Sequence, residues 1–196
     1  MDRAAIGVRM HSGWGALVAV SQSVGTVEVI DRRRITLTTP GAPGAIQPYH
    51  FAKDLELAAK EKFIEHCFAA SKSLAAAAIQ DVINELRTRK YRVVASAVIL
   101  ASGRPLPPLA KILAAHPLLH AAEGEFFREA FTKACEGLDI PVTGLRQRDL
   151  EERARTTFGK AATRIARQIS AQGRSLGPPW TSDQKTAALA AFLVLM

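Results

Sequence analysis

The chain has 196 residues, 48% hydrophobic and 22% charged, which suits one globular domain with its own core and excludes a disordered protein. Its 26 Lys and Arg outnumber 18 Asp and Glu, and the net charge of +8 points toward an anionic partner such as nucleic acid, a bias that a GC-rich genome also produces. Two cysteines, Cys67 and Cys135, lie among apolar neighbours in helical stretches and exclude a disulfide scaffold.

Residues 4–9, 14–21 and 26–38 read as three antiparallel strands, with Gly13 and Gly15 at a hairpin bend. Leu17 to Val20 is apolar on both faces, as an interior strand requires. The third strand is expected to break near Arg33, with Asp31-Arg32 as a turn. TPGAPGAIQPYH, from Thr39 to His50, holds three prolines and two glycines and reads as a loop.

From Phe51 to Arg89 the pattern is helical, with Ile79, Val82, Ile83 and Leu86 at helix spacing and an expected kink at 71–73. VVASAVIL, residues 93–100, is a continuous β-branched run, the signature of a buried parallel strand. A turn, SGRPLPP, leads to a short helix near 108–115 and a second over 119–136, which Gly137 is expected to cap in the left-handed conformation. DIPVTGLRQ reads as a short strand. A basic amphipathic helix covers 150–171, and a last helix begins at Ser182 as its N-cap. The final apolar run, TAALAAFLVLM, is too short to span a bilayer, and the N-terminus lacks the basic–apolar–small pattern of a signal peptide. A cytoplasmic location with no membrane contact is expected.

The order β–β–β–α–β–α–β–α–α gives an α/β protein: a mixed sheet of about five strands, a three-strand meander followed by βαβα units, with flanking helices. Residues 1–150 are expected to form the core, and 151–196 a helical extension packed on it. This order, with Ile6-Gly7-Val8 in the first strand, resembles the ribonuclease H-like superfamily. The resemblance implies a two-metal nuclease, whose cations are held by acids from the first strand, first helix, fourth strand and a late helix. In resolvase-like members the first strand reads Ile-Gly-x-Asp-x-Gly, and Arg9 stands where that acid would fall. VVASAVILASG carries no acid either, leaving only Asp54, Glu56 and Asp149 in loosely suitable places. Neither a metal pair nor a cofactor is expected.

The densest polar stretch is HPLLHAAEGEFFREAFTKAC, His116 to Cys135. His120 and Glu123 share a helical face at i,i+3, a pairing able to ligate a metal or to join a base to its orienting acid. The plainer account is a helical first turn whose acids favour the dipole. Gly124 costs about 1 kcal/mol relative to Ala within a helix, which points to close approach of a backbone or ligand. His50 completes a site with His120 and Glu123 if the long loop folds back. Ser102, Gly103 and Arg104, after the central strand, are candidates for an anion site. No phosphate-binding loop, nucleophile elbow or Cys-x-x-Cys pair is present.

Basic candidates for nucleic-acid binding are Arg33, Arg34, Arg153, Arg164 and Arg167. Residues 146–174 alone hold seven arginines and Lys160, although such runs commonly form a solvated face. Two functional readings follow. In the first, a non-catalytic ribonuclease H-like protein binds nucleic acid or a protein partner through its basic surface, and a homodimer is a further expected partner state. In the second, the protein is an enzyme using His50, His120 and Glu123. The long first helix and the apolar C-terminal helix offer a further route to an interface.

Overall fold

The computed structural model describes residues 1–23, 25–101 and 105–196. Strands β1 (Asp2–His11), β2 (Trp14–Ser23) and β3 (Thr26–Thr36) form an antiparallel meander. β4 (Tyr91–Leu100) adds parallel to β1, and β5 (Val142–Arg146) parallel to β4. The sheet order is β3-β2-β1-β4-β5, which puts β1 and β4 at the centre. The helices are α1 (Pro48–Lys53), α2 (Leu57–Thr88), α3 (Leu109–Ala114), α4 (His116–Glu136), α5 (Leu150–Phe158), α6 (Ala162–Ala171), α7 (Gly173–Leu176) and α8 (Ser182–Leu195). None of the described helices is long and apolar enough to cross a membrane.

Side chains of β1 alternate between two cores, as the two-residue period of a strand dictates. Ala4, Ile6, Val8 and Met10 meet Ile79, Val82 and Leu86 of α2 and Phe126, Phe127 and Phe131 of α4. On the other face Ala5, Val18 and Val20 meet Ile165 and Ile169 of α6 and Ala187, Ala188, Ala191 and Phe192 of α8. Helix α8 lies unusually close to the sheet, because alanines face it and Gly7 has no Cβ. A Cβ at Gly7 would stand 2.0 Å from the Ala187 carbonyl oxygen. The apolar C-terminal helix is therefore core, and its buried Ala187, Ala188, Ala190, Ala191, Phe192 and Leu195 are not free to form an interface.

Several local expectations are corrected. β3 runs unbroken through Arg33, which pairs with Leu17, and the strand's irregularity is a bulge at Ile30, where the pairing shifts between Ala19 and Val20. α2 continues through 71–73, while the break in the first helical stretch falls at 54–56. Gly137 has an ordinary helical φ of −67°, and the left-handed residue is Asp139 at 57°. The 150–171 helix divides at Gly159, whose φ of 54° no α-helix accommodates. Arg153 is thus on a different helix from Arg164 and Arg167. The last helix is capped by Thr181, whose side chain forms a capping box with Gln184. Both cysteines are free thiols, and burial pushes Cys135 up to about 12.

Candidate metal centre

At the end of β1, where an acid would sit in a two-metal nuclease, the Arg9 guanidinium bonds the Gln147 side chain. Its Nε lies 3.9 Å from Asp183 Oδ1, while His11 Nε2 is 2.9 Å from Asp183 Oδ2. Asp183 comes from the first turn of α8. The same corner is closed by His11 stacked on Trp14 at 4.3 Å and by Arg34 at 4.0 Å over the Trp14 ring.

A second constellation lies where α1 meets α4. Pro48 starts α1 with its fixed φ, so the loop before it turns directly into a helix carrying Tyr49 and His50. α4 begins at His116, with Pro117 in its first turn. His116 and His120 are four residues apart and therefore neighbours on one helical face. Their Nε2 atoms are 3.0 Å apart, and the His50 ring centroid lies 4.9 Å from that of His120 and 5.4 Å from that of His116. One ligand atom from each of the three imidazoles lies within 4.8 Å of the other two. His50 is half-buried, and the other two are exposed.

Glu123, one turn further along α4, is 2% exposed. Its Oε1 accepts hydrogen bonds from the backbone N–H groups of Tyr49 (2.9 Å) and His50 (3.1 Å), and lies 3.2 Å from His50 Nδ1. Its Oε2 is buried with no hydrogen-bond partner among the described residues. Burial pushes the Glu123 carboxyl above the usual carboxylate range, against the opposing pull of the hydrogen bonds from His50 and Tyr49. His50 Nδ1 is within hydrogen-bond distance of the carboxylate, and an imidazole that donates there leaves its Nε2 as the ligand atom.

No family model matches the chain, and no curated protein matches it. Solved structures do align with it. One is a structure of Thermus thermophilus RuvC, at TM-score 0.54 and 13% identity, covering 97% of this chain and 91% of the other. A second is T. thermophilus RuvC in complex with a Holliday junction substrate, at TM-score 0.54, 14% identity and the same coverage. The fold is ribonuclease H-like. At such identity the likeness is one of fold alone.

The two-metal arrangement of a ribonuclease H-like nuclease does not fit these residues. Each cation needs several carboxylate oxygens, and the central position at the end of β1 is a guanidinium that already pairs with the nearest acid. Asp149 is taken up by Arg146 at 2.6 Å and Arg148 at 3.5 Å, and Asp54 and Glu56 are exposed between α1 and α2. Asp183, not singled out from sequence, reaches the end of β1 from α8 and lies 3.9 Å from Arg9 Nε.

Of the residues expected from sequence, His50, His120 and Glu123 come together, and His116 joins them. Gly124 is covered by the Arg128 side chain, 2.9 Å from where a Cβ would be, and not by the backbone of another element. Ser102, Gly103 and Arg104 lie outside the described residues. The basic candidates are scattered: Arg33 is paired with Asp31 and Glu85, Arg34 caps Trp14, and Arg153, Arg164 and Arg167 are exposed on α5 and α6.

Proposed function

We propose that this protein is a metalloprotein, binding one divalent ion of the Zn2+ class through His50, His116 and His120 in an open three-ligand centre. The observation that carries the reading is Glu123: a carboxylate buried beneath three clustered imidazoles, orienting one of them and with its other oxygen unpartnered. A carboxylate that accepts a histidine's second N–H is the usual outer partner of a metal-bound imidazole. Ligand nitrogens on a tetrahedral Zn2+ with bonds of about 2.0–2.1 Å stand roughly 3.3 Å apart. The 3.0 Å spacing of the His116 and His120 nitrogens is close to that value.

Three histidines leave one position for water or a substrate oxygen, and an ion so placed lowers the pKa of its water and polarises oxygen. This supports an enzyme built on His50, His116, His120 and Glu123 over a purely non-catalytic role. Under this reading the chain takes up one Zn2+ per molecule by calorimetry and elemental analysis. The His116→Ala/His120→Ala double variant loses more affinity than the roughly 10–100-fold that removal of an outer partner costs. Wild-type protein that takes up no Zn2+ at neutral pH refutes it.

A second reading has its own support on the far side of the sheet. Lys160, Arg164, Arg167 and Arg174 are exposed around α6 and have no ion-pair partner among the described residues. They flank shallow grooves with Thr163 and Ser170, an arrangement suited to a phosphate backbone. If nucleic acid binds there, log affinity falls linearly with log salt, and Arg164→Ala/Arg167→Ala lowers that slope by about 2 for duplex DNA. Binding with no salt dependence rules this reading out.

A further inference from the structure

The three histidines come from two pieces of chain, distant in sequence, that meet at one seam. His116 and His120 ride on α4, whose Phe127, Phe131, Ala134 and Cys135 are anchored in the main core. His50 rides on α1, at the end of a segment that leaves β3 and crosses the surface. Between 39 and 47 the backbone hydrogen bonds of this segment are local: Ala42 N–H to Thr39, Ala45 to Ala42, and Gln47 to Gly44. Residues 39–43 are exposed, as are Ile46 and Gln47. The left-handed Gly41 and Gly44 give the segment its turns.

α1 meets α4 through Tyr49, whose ring lies 6.1 Å from that of Phe126 and packs beside Leu119 and Ala122, and through the contacts converging on Glu123 Oε1. One carboxylate oxygen therefore holds the polar anchorage of the strap to α4. α1 meets α2 through Phe51, stacked on Phe63 at 4.8 Å, and through Lys60, which donates to the Lys53 carbonyl. Mostly exposed stretches held by local hydrogen bonds, as residues 39–47 are, open well below the global unfolding free energy, while buried Pro48 and Ala52 seat α1 more firmly.

Building on the metal-centre reading, we infer that the ion acts as a clasp: by joining His50 to His116 and His120, it fastens the strap of residues 39–53 onto α4. The juxtaposition requires this coupling. An open strap carries His50 away and leaves only two ligands on α4, so the ion binds the closed form better. Any ligand with that preference shifts the population toward closure by its differential affinity and no more. The recess lined by Gly44, Ile46, Gln47, His50 and Phe51 belongs to the same strap, so its shape is set only in the closed form.

Hydrogen exchange of the full chain, with Zn2+ at about 100 times its measured Kd and with a chelator, tests this. If the open strap has no affinity for the ion, exchange in peptides covering 39–54 slows by up to about 100-fold on adding Zn2+. Peptides of β1, β4 and α8 serve as the internal reference and change far less. His116→Ala, at an exposed position, keeps the fold and loses the Zn2+-dependent slowing. Zn2+ that binds by calorimetry without slowing 39–54 more than the reference peptides overturns the clasp and leaves the metal centre standing. Absence of Zn2+ binding overturns both.

Discussion

Adding a single methyl group at Gly7 is expected to lower the melting temperature by roughly 6–12 °C, from a loss of about 3 kcal/mol. The Cβ would lie 2.0 Å from the Ala187 carbonyl oxygen, 2.9 Å from its carbon and 3.0 Å from the Ala191 amide nitrogen. All three are backbone atoms of α8, so no side chain can rotate aside. The helix must lift off β1, and its alanine face loses contact with Ala5, Val18 and Val20. Gly124→Ala is the matched control. There the obstacle is the end of the Arg128 side chain, 2.9 Å away, and the helix gains up to about 1 kcal/mol of propensity. Circular dichroism melts of the two variants decide the matter. A Gly7→Ala protein as stable as wild type refutes the close packing of α8 on β1, and a Gly124→Ala loss as large as that of Gly7→Ala shows that the Arg128 guanidinium cannot move.

The same two glycines show which features are legible in a sequence. Gly7 sits in an apolar alternation whose period reveals the strand, and nothing in that period says that the last helix of the chain will lie over it. Gly124 is conspicuous against helix propensity, yet its neighbour is a side chain from its own helix, one turn on. Strand periodicity carries through β1, β2 and β4 because each is buried on at least one face along its length. It misleads at β3, where Asp31-Arg32 resembles a turn yet both residues pair in register with β2, just after a bulge at Ile30. The long basic helix looks continuous because arginine and alanine favour helix throughout, and a single left-handed glycine divides it.

The histidine site was half legible. His120 and Glu123 stand out as an i,i+3 pair, and His50 as the polar end of a loop long enough to return. His116 is missed when the helix is taken to begin at 119, for then it falls in the connector; an earlier start puts it four residues before His120 on the same face. The sequence separation of 73 between His50 and Glu123 is spanned by the fold alone. Arg9, by contrast, stands out in the sequence as a cation within an apolar strand. Its partner Asp183 does not, because only the packing of α8 brings it there.

Glu123→Leu and Glu123→Gln are expected to part company. Leucine removes the oxygen that accepts from the backbone N–H groups of Tyr49 and His50, leaving two buried donors unpaired at about 1–3 kcal/mol each. That variant should lose roughly 3 kcal/mol and, with the strap released, the metal affinity as well. Glutamine keeps a carbonyl oxygen for both donors and removes a buried charge whose second oxygen has no partner. Metal-free Glu123→Gln should therefore melt within a few degrees of wild type or above it. Its Zn2+ affinity should nonetheless fall by about 10–100-fold, because an amide orients His50 less firmly and contributes no negative charge toward the ion. Stability and affinity thus separate in one variant and fall together in the other. If glutamine costs as much stability as leucine, the carboxylate charge is compensated in the metal-free fold. If glutamine leaves Zn2+ affinity unchanged, Glu123 is a structural acceptor for the strap and has no part in holding the ion.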